Sequence, residues 1–412
     1  LQFNPSLPVY TTKGEYAGPL GGYPDRENPV ARLQRNKDNR YTYWRLFGDA
    51  YLNLNPFKGF NIRSTFGLDY SQKQQRIFTY PVTEGNVANN KNGVEAKQEH
   101  WTKWMWNAVA TYNAVMGLNR VDAMLGMELN REDDTNFSGY KENFIILNPD
   151  YMWPDAGVGT AQSYGGGSGF SLVSYFGKLN YNYDDKYMAS LTVRHDGSSR
   201  FGRNNRYATF PSVSVGWRIN RENFLKKATW IDDLKLRASW GQTGNQEISN
   251  IAHYTIYVSN YGVGENGGQS YGTSYDIGGT NGGKTLPSGF KRDQIGNDNI
   301  KWETTTQTNL GLDFSFFNGS LYGGFDWYYK KTKDILVQMA GIAAMGEGST
   351  QWINAGEMEN RGIEFNIGYR GATRFGLKYD ITGNIGTYRN KITKLPDTVA
   401  ANGTFGGNGV KS

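Results

Sequence analysis

Between Thr209 and Ile219 every second side chain is apolar or aromatic: Pro211, Val213, Val215, Trp217 and Ile219, with Ser212, Ser214, Gly216 and Arg218 between them. A period of two belongs to a β-strand with one apolar and one polar face. The pattern recurs along the chain. Leu321, Gly323, Phe325, Trp327 and Tyr329 alternate with Tyr322, Gly324, Asp326, Tyr328 and Lys330, and Val121, Ala123, Leu125, Met127 and Leu129 alternate with Asp122, Gly126, Glu128 and Asn130. The alternation predicts about twelve strands, roughly at 41–54, 60–70, 101–115, 119–131, 170–183, 187–196, 209–219, 233–242, 301–316, 320–334, 357–370 and 375–389. Each is long enough for the roughly 9–11 residues that a tilted strand needs to cross a bilayer.

The connections carry a second signal. Short, turn-like segments at 55–59, 116–119, 184–186, 317–320 and 371–374 alternate with long ones at 71–99, 132–169, 197–208, 243–300 and 335–356. The intermediate segment 220–232 falls where a short turn is due, with a helical turn expected around "ENFLKKATW". In an up-and-down sheet alternate connections lie at opposite ends, so all the elaboration is at one end. Outer-membrane barrels are built this way, with short periplasmic turns and long external loops. On that reading Val213, Val215, Trp217 and Ile219 face lipid, and Ser212, Ser214, Gly216 and Arg218 face a wet lumen. Alternation alone fits equally a soluble β-protein with Val213 in its core.

Composition adjusts this picture in three ways. The 412 residues contain no Cys, which removes disulfides and thiolate metal sites. Mean hydropathy is −0.64, which a barrel with alternating faces tolerates, and no apolar run approaches the roughly 20 residues of a membrane helix. The net charge of +6 is the balance of 44 basic and 38 acidic residues scattered along the chain. With no basic block, a nucleic-acid partner is not expected. The start "LQFNPSLPVY" lacks the features of a signal peptide.

Longer stretches resemble a known family. "LTVRHDGSSRFGRNNRYATFPSVSVGWRIN" (191–220), "DLKLRASWGQTGNQEI" (233–248) and "KWETTTQTNLGLDFSFFNGSLYGGFDWYYKKTKDIL" (301–336) resemble the SusC/RagA family of TonB-dependent outer-membrane transporters. "NAGEMENRGIEF" (354–365) is similar to the segment where a strand of that family re-enters the barrel after a long loop, and "NPVARL" (28–33) to a family loop motif. The resemblance implies an all-β, antiparallel transmembrane barrel of 22 strands. About twelve of them are expected in 1–412, a partial barrel domain without its plug. It also implies import of a large nutrient across the outer membrane of a Gram-negative cell of the Bacteroidota. The cargo would be an oligosaccharide or else a peptide. A SusD-like surface lipoprotein would form the lid and the TonB complex would supply energy. No plug, TonB box or N-terminal extension is found and the chain ends in "GTFGGNGVKS", so an internal portion of a longer protein is expected. The alternative is a non-transporting outer-membrane or surface β-protein, an adhesin or structural barrel.

Candidate chemistry points away from catalysis. His195, Asp196, Ser198 and Ser199 are close in sequence, but adjacent strand residues face opposite sides and cannot form a triad. His100, His195 and His253 lack zinc spacing. "GIAAMGEGST" (341–350) lacks the lysine of a phosphate loop and "GGGSG" (165–169) reads as a mobile loop. Asp133 and Asp134 read as a solvated loop tip, with surface calcium as the lesser alternative. No enzyme activity, cofactor or metal is therefore expected. Trp217, Trp240 and Trp327 suit the aromatic girdles at the bilayer surfaces. Arg194, Arg218, Lys235, Arg237, Glu364 and Asp380 fall on the lumen side, where mutual pairing or plug contact is expected. Trp153, Tyr164, Tyr271, Tyr275 and Trp352 lie in the Gly-rich long connections 132–169, 243–300 and 335–356, expected to form the external mouth. They are the candidate substrate-binding residues, offering flat faces for a sugar ring or contacts for a lid; packing between loops is the competing role.

Overall fold

The computed structural model of the chain describes residues 6–19, 27–159, 161–259, 290–339 and 350–395. Twelve long strands follow one another in a single sheet. They are β1 (Arg40–Phe57), β2 (Phe60–Thr79), β5 (Gly93–Met116), β6 (Asn119–Glu142), β7 (Gln162–Tyr183), β8 (Tyr187–Ser198), β9 (Tyr207–Arg218), β10 (Ile231–Asn245), β13 (Glu303–Phe316), β14 (Leu321–Lys333), β17 (Glu357–Ala372) and β18 (Lys378–Lys394), paired in that order. The order follows the chain because each strand hairpins onto the next. Small strands occupy the long connections: β3 (Val82–Glu84) with β4 (Val87–Asn89), and a four-stranded sheet of β11 (Ile256–Ser259), β12 (Phe290–Ile295), β16 (Thr350–Asn354) and β15 (Leu336–Met339). The short connections are tight turns. At Asp184–Asp185 both residues have positive φ, 53° and 49°, the two-residue turn whose twist matches a hairpin, and the Asn182 side chain holds the Asp185 amide at 2.9 Å.

Several strands run further than alternation predicts. The segment expected at 60–70 continues to Thr79, 101–115 begins at Gly93, 119–131 continues to Glu142 and 170–183 begins at Gln162. The added residues, such as "SQKQQR" (71–76), are polar on both sides. A hydropathy pattern ends where the apolar surroundings end, whereas backbone pairing needs no apolar side chain. Asp133 and Asp134 are therefore strand residues rather than a loop tip. The reverse occurs at 209–219, where the strand stops at Arg218 and Ile219 enters a 3-10 turn. "NPVARL" is helical over α1 (Pro29–Asn36): Asn28 caps it by accepting from the Val30 and Ala31 amides, and Pro29 is preset for the first turn.

The chain divides into two compact units. The first comprises Leu1–Ala50, Phe66–Met105 and Asn130–Gly169, with a buried cluster of Phe78, Val94, Phe144 and Met152. Asn28 is buried there too, its amide donating to the carbonyls of Val9 and Ala17 at 2.8 and 2.9 Å.

The second unit comprises Tyr51–Thr65, Trp106–Leu129 and Phe170–Ser412. Register aligns its apolar positions into rows. Trp217 stands opposite Leu236, then come Leu312, Phe325, Phe365 and Ile385; Val215, Ala238, Leu310, Trp327 and Ile363 form the next row. Val215 is 54% exposed although apolar, as a lipid-facing side chain should be. The buried hydrophobic residues of this unit lie elsewhere, in a cluster of Phe201, Phe210, Ile248, Ala252, Ile300 and Trp302, built from the long connections and the start of β9.

Candidate functional site

The side of the second unit opposite the apolar rows is polar. Asn180, Ser190, Ser214, Ser239 and Asn309 stand side by side on β7, β8, β9, β10 and β13. Ser190 donates to the Asn180 side-chain oxygen at 2.8 Å, and the Asn309 amide donates to the Ser239 hydroxyl at 3.1 Å. These residues line a concavity of about 490 Å³ together with Arg120, Asp122, Lys235 and Arg237. The next row is charged. Arg237 makes a two-point contact with Asp313, Nε at 2.8 Å and Nη2 at 2.9 Å, and reaches Asp326 at 3.0 Å. Arg237 crosses over Gly311, where a Cβ would lie 2.7 Å from the guanidinium carbon. Arg237 is thus ion-paired, though with Asp313 and Asp326 rather than with the other basic and acidic residues expected on this side; Arg194 likewise binds Asp196 and the Ser174 hydroxyl.

The buried cluster of the second unit is also built on this side, because Phe210 has the parity of Ser212 and Ser214. Trp302 packs on Phe201 and edge-on to Phe210, at 5.0 and 5.6 Å between ring centres, and its Nε1 donates to the Arg206 carbonyl. Trp352 is half-buried against the cluster and sits in β16 opposite Gln338 of β15, not in an open loop. Its carbonyl accepts from Asn297 at 2.8 Å. Arg200 stacks on Phe170 and binds Asn250, and beside it His253 is driven below its ordinary pKa, chiefly by burial.

The first unit has two chemically distinct sides as well. On one, Phe66 stacks on Trp104 and Tyr70 meets both His100 and Trp44. On the other, Asp69 pairs with Arg45, Lys73 with Glu99, and Glu132 with Lys103 and Trp101. Tyr164 lies in β7, and its hydroxyl donates to Gln162. A Cβ at Gly169 would meet the Asp133 carboxylate and one at Gly167 the Thr135 side chain. Alternation therefore turns Tyr164 to the opposite side, the charged side of Glu132. Trp153 goes the other way: its ring covers the Arg76 guanidinium, 4.2 Å from the ring centre, and Arg76 has the parity of Tyr70. The connection 132–169 thus does not bring Trp153 and Tyr164 together. Tyr271 and Tyr275 lie outside the described residues. Asp133 accepts both contacts of Arg131, at 2.6 and 2.9 Å. The His195 ring stacks on Tyr207 and bonds Thr209 while Asp196 faces Arg194, so the two residues do point apart.

The sequence model of the family described as "TonB dependent receptor-like, beta-barrel" matches residues 2–411. The chain belongs to that family. Among curated relatives, TonB-dependent receptor SusC of Bacteroides thetaiotaomicron is 31% identical over 96% of this chain and 39% of its own length. TonB-dependent receptor P3 of Formosa agariphila is 33% identical over 96% of this chain and 37% of its own length. A solved structure of the RagAB peptide transporter superposes with a TM-score of 0.76 at 21% identity, covering 93% of this chain and 40% of that one. These relatives place the chain in the SusC/RagA group, and proteins of this family reside in the outer membrane. The chain spans about two fifths of the length of the curated relatives it matches.

Proposed function

We propose that this chain is the barrel portion of an outer-membrane importer for a large nutrient of the oligosaccharide class. A SusD-like surface lipoprotein serves as lid and TonB drives uptake. The observation that carries the cargo class is the neutral row Asn180, Ser190, Ser214, Ser239 and Asn309. Hydroxyls and amides both donate and accept, which suits the hydroxyls of a sugar. Within the first unit, taken by itself, Tyr164 is exposed on the charged side and offers a stacking face. The likeness to SusC supports the lid and the energy source. The second reading is a peptide cargo, favoured by the charged row of Arg237, Asp313 and Asp326, which offers partners for peptide termini.

The test is uptake by the full-length protein carrying Ser214→Leu and Ser239→Leu, with surface level measured in parallel. Oligosaccharide binding should fall about tenfold, as expected when buried sugar hydroxyls lose their partners. Undiminished oligosaccharide uptake with impaired peptide uptake would select the second reading. Undetectable uptake of either class by the unaltered protein would favour a non-transporting barrel.

A further inference from the structure

The aromatic side of the first unit changes character along β2. Phe66 and Tyr70 give way to Gln72, Gln74 and Arg76 on the same side. Six residues at ~3.3 Å each place Arg76 about 20 Å along the strand from Tyr70, or about 14 Å in height at a tilt of ~45°. Tyr70, Trp44 and His100 form the aromatic cluster expected at the bilayer surface. Arg76 therefore stands on the outer-leaflet side, about 14 Å above that aromatic cluster and clear of the hydrocarbon.

A concavity of about 600 Å³ lies there, lined by Thr42, Gln74, Arg76, Gln98, Phe137 and Trp153. Phe137 and Trp153 are 61% and 55% exposed. The Arg76 guanidinium is stacked between Trp153 at 4.2 Å and Phe78 at 5.2 Å, with no carboxylate within ion-pair distance among the described residues. Stacking fixes the plane of the guanidinium and leaves its N–H edge free for an anion. Amides and a hydroxyl beside exposed rings suit a sugar.

We propose that this concavity binds the phosphorylated saccharide head group of an outer-leaflet glycolipid. Arg76 takes the phosphate, Trp153 and Phe137 cover the sugar, and Gln74, Gln98 and Thr42 meet its hydroxyls. The lipid chains then continue down the Phe66–Trp104 side, the aromatic side of this unit, which the outer-membrane placement turns to lipid. A phosphorylated head group is favoured because the site is continuous with that surface and presents a cation without a counter-charge. The proposal rests on the outer-membrane placement and is independent of the cargo.

The full-length protein, extracted from outer membranes in mild detergent, is compared with its Arg76→Ala, Trp153→Ala variant. Native mass spectrometry counts retained glycolipid, and titration with purified lipopolysaccharide gives affinity. The variant should retain one glycolipid fewer and bind about tenfold more weakly, as for loss of one stacked cation and its ion pair. Dephosphorylated lipid should show the same weakening with the unaltered protein, an arm that decides the matter even if the variant assembles poorly. Equal retention by both proteins, or undiminished binding of dephosphorylated lipid, overturns the proposal. Equally tight binding of the delipidated saccharide would make this a soluble-saccharide site and also overturn it. Cargo uptake by the single Arg76→Ala variant should stay normal, which separates this result from failure of the importer reading.

Discussion

The guanidinium of Arg237 passes over Gly311, and the missing side chain there is what lets it reach a second carboxylate. Asp313 is its register partner's near neighbour, while Asp326 lies one strand further away, beyond Gly311. A Cβ at Gly311 would sit 2.6 Å from the Asp326 Oδ1 and 2.7 Å from the Arg237 Nη2. Gly311→Ala should therefore cut the Arg237–Asp326 contact and keep the one to Asp313. The expected cost is roughly 1–3 kcal/mol, as for overpacking. Urea unfolding of the refolded protein in detergent checks it; an unchanged midpoint would mean the wall relaxes freely at this point.

Facing is tested at neighbouring positions. Val215 is in an apolar row, and Ser214 is in the neutral row between Ser190 and Ser239. Val215→Arg should destabilise the protein, by as much as about 2–4 kcal/mol if Val215 lies near the bilayer midplane and by less toward the girdle. Ser214→Arg should cost much less, since its side is wet. Refolding titrations into lipid vesicles provide the comparison, and equal tolerance at both positions would contradict the assignment of sides.

The connection carrying His253 should loosen in acid. Burial is the main cause of its lowered pKa, with Arg206 adding to it. A depressed folded-state value means the unfolded chain binds the proton first. The stabilising neutral form is thus fully present above about 6.5, the ordinary value. It is lost as pH falls through the lower folded value. Amide protection factors over 246–254, corrected for intrinsic exchange, should be high at neutral pH and fall as pH drops below the ordinary histidine value. His253→Phe should flatten that dependence; if protection still falls equally in acid, another group is responsible.

Trp302 holds the cluster of long connections together through Phe201, Phe210 and the Arg206 carbonyl. Trp302→Ala should cost about 3–5 kcal/mol of local stability, as for a large aromatic removed from a core. The twelve-stranded sheet should still assemble, because Trp302 precedes β13 and takes no part in its ladder. Limited proteolysis reports the loss as new cuts in 246–254 with the strands intact. Global failure to fold would show that the cluster is needed for sheet assembly.

Alternation between Thr209 and Ile219, and its repeats, suffices to specify the twelve long β-strands of the main sheet and their two sides, but not the small strands of the long connections. These are local properties: a period of two assigns each side chain to a face whatever the strand's neighbours are. The short turns are equally local, as Asp184–Asp185 shows. Strand ends are not local, because the ladders of β2 and β5 continue through Ser71–Arg76 and Gly93–His100 without an alternating apolar face, held by backbone pairing and by partners such as Lys73–Glu99. The five-strand row from Asn180 to Asn309 depends on register, which relates residues up to 129 positions apart and leaves no trace in any one segment. Gly311 reads as an ordinary polar-side position until Arg237 is placed over it. Trp153, Tyr164 and Trp352 look alike in sequence, three aromatics in Gly-rich stretches. Only the tertiary structure distributes them, one to the aromatic side over Arg76, one to the charged side, and one into a small sheet against Trp302's cluster. The reason is physical: an aromatic ring buries itself against whatever surface the fold brings within reach, and that surface is made by residues far away in the chain.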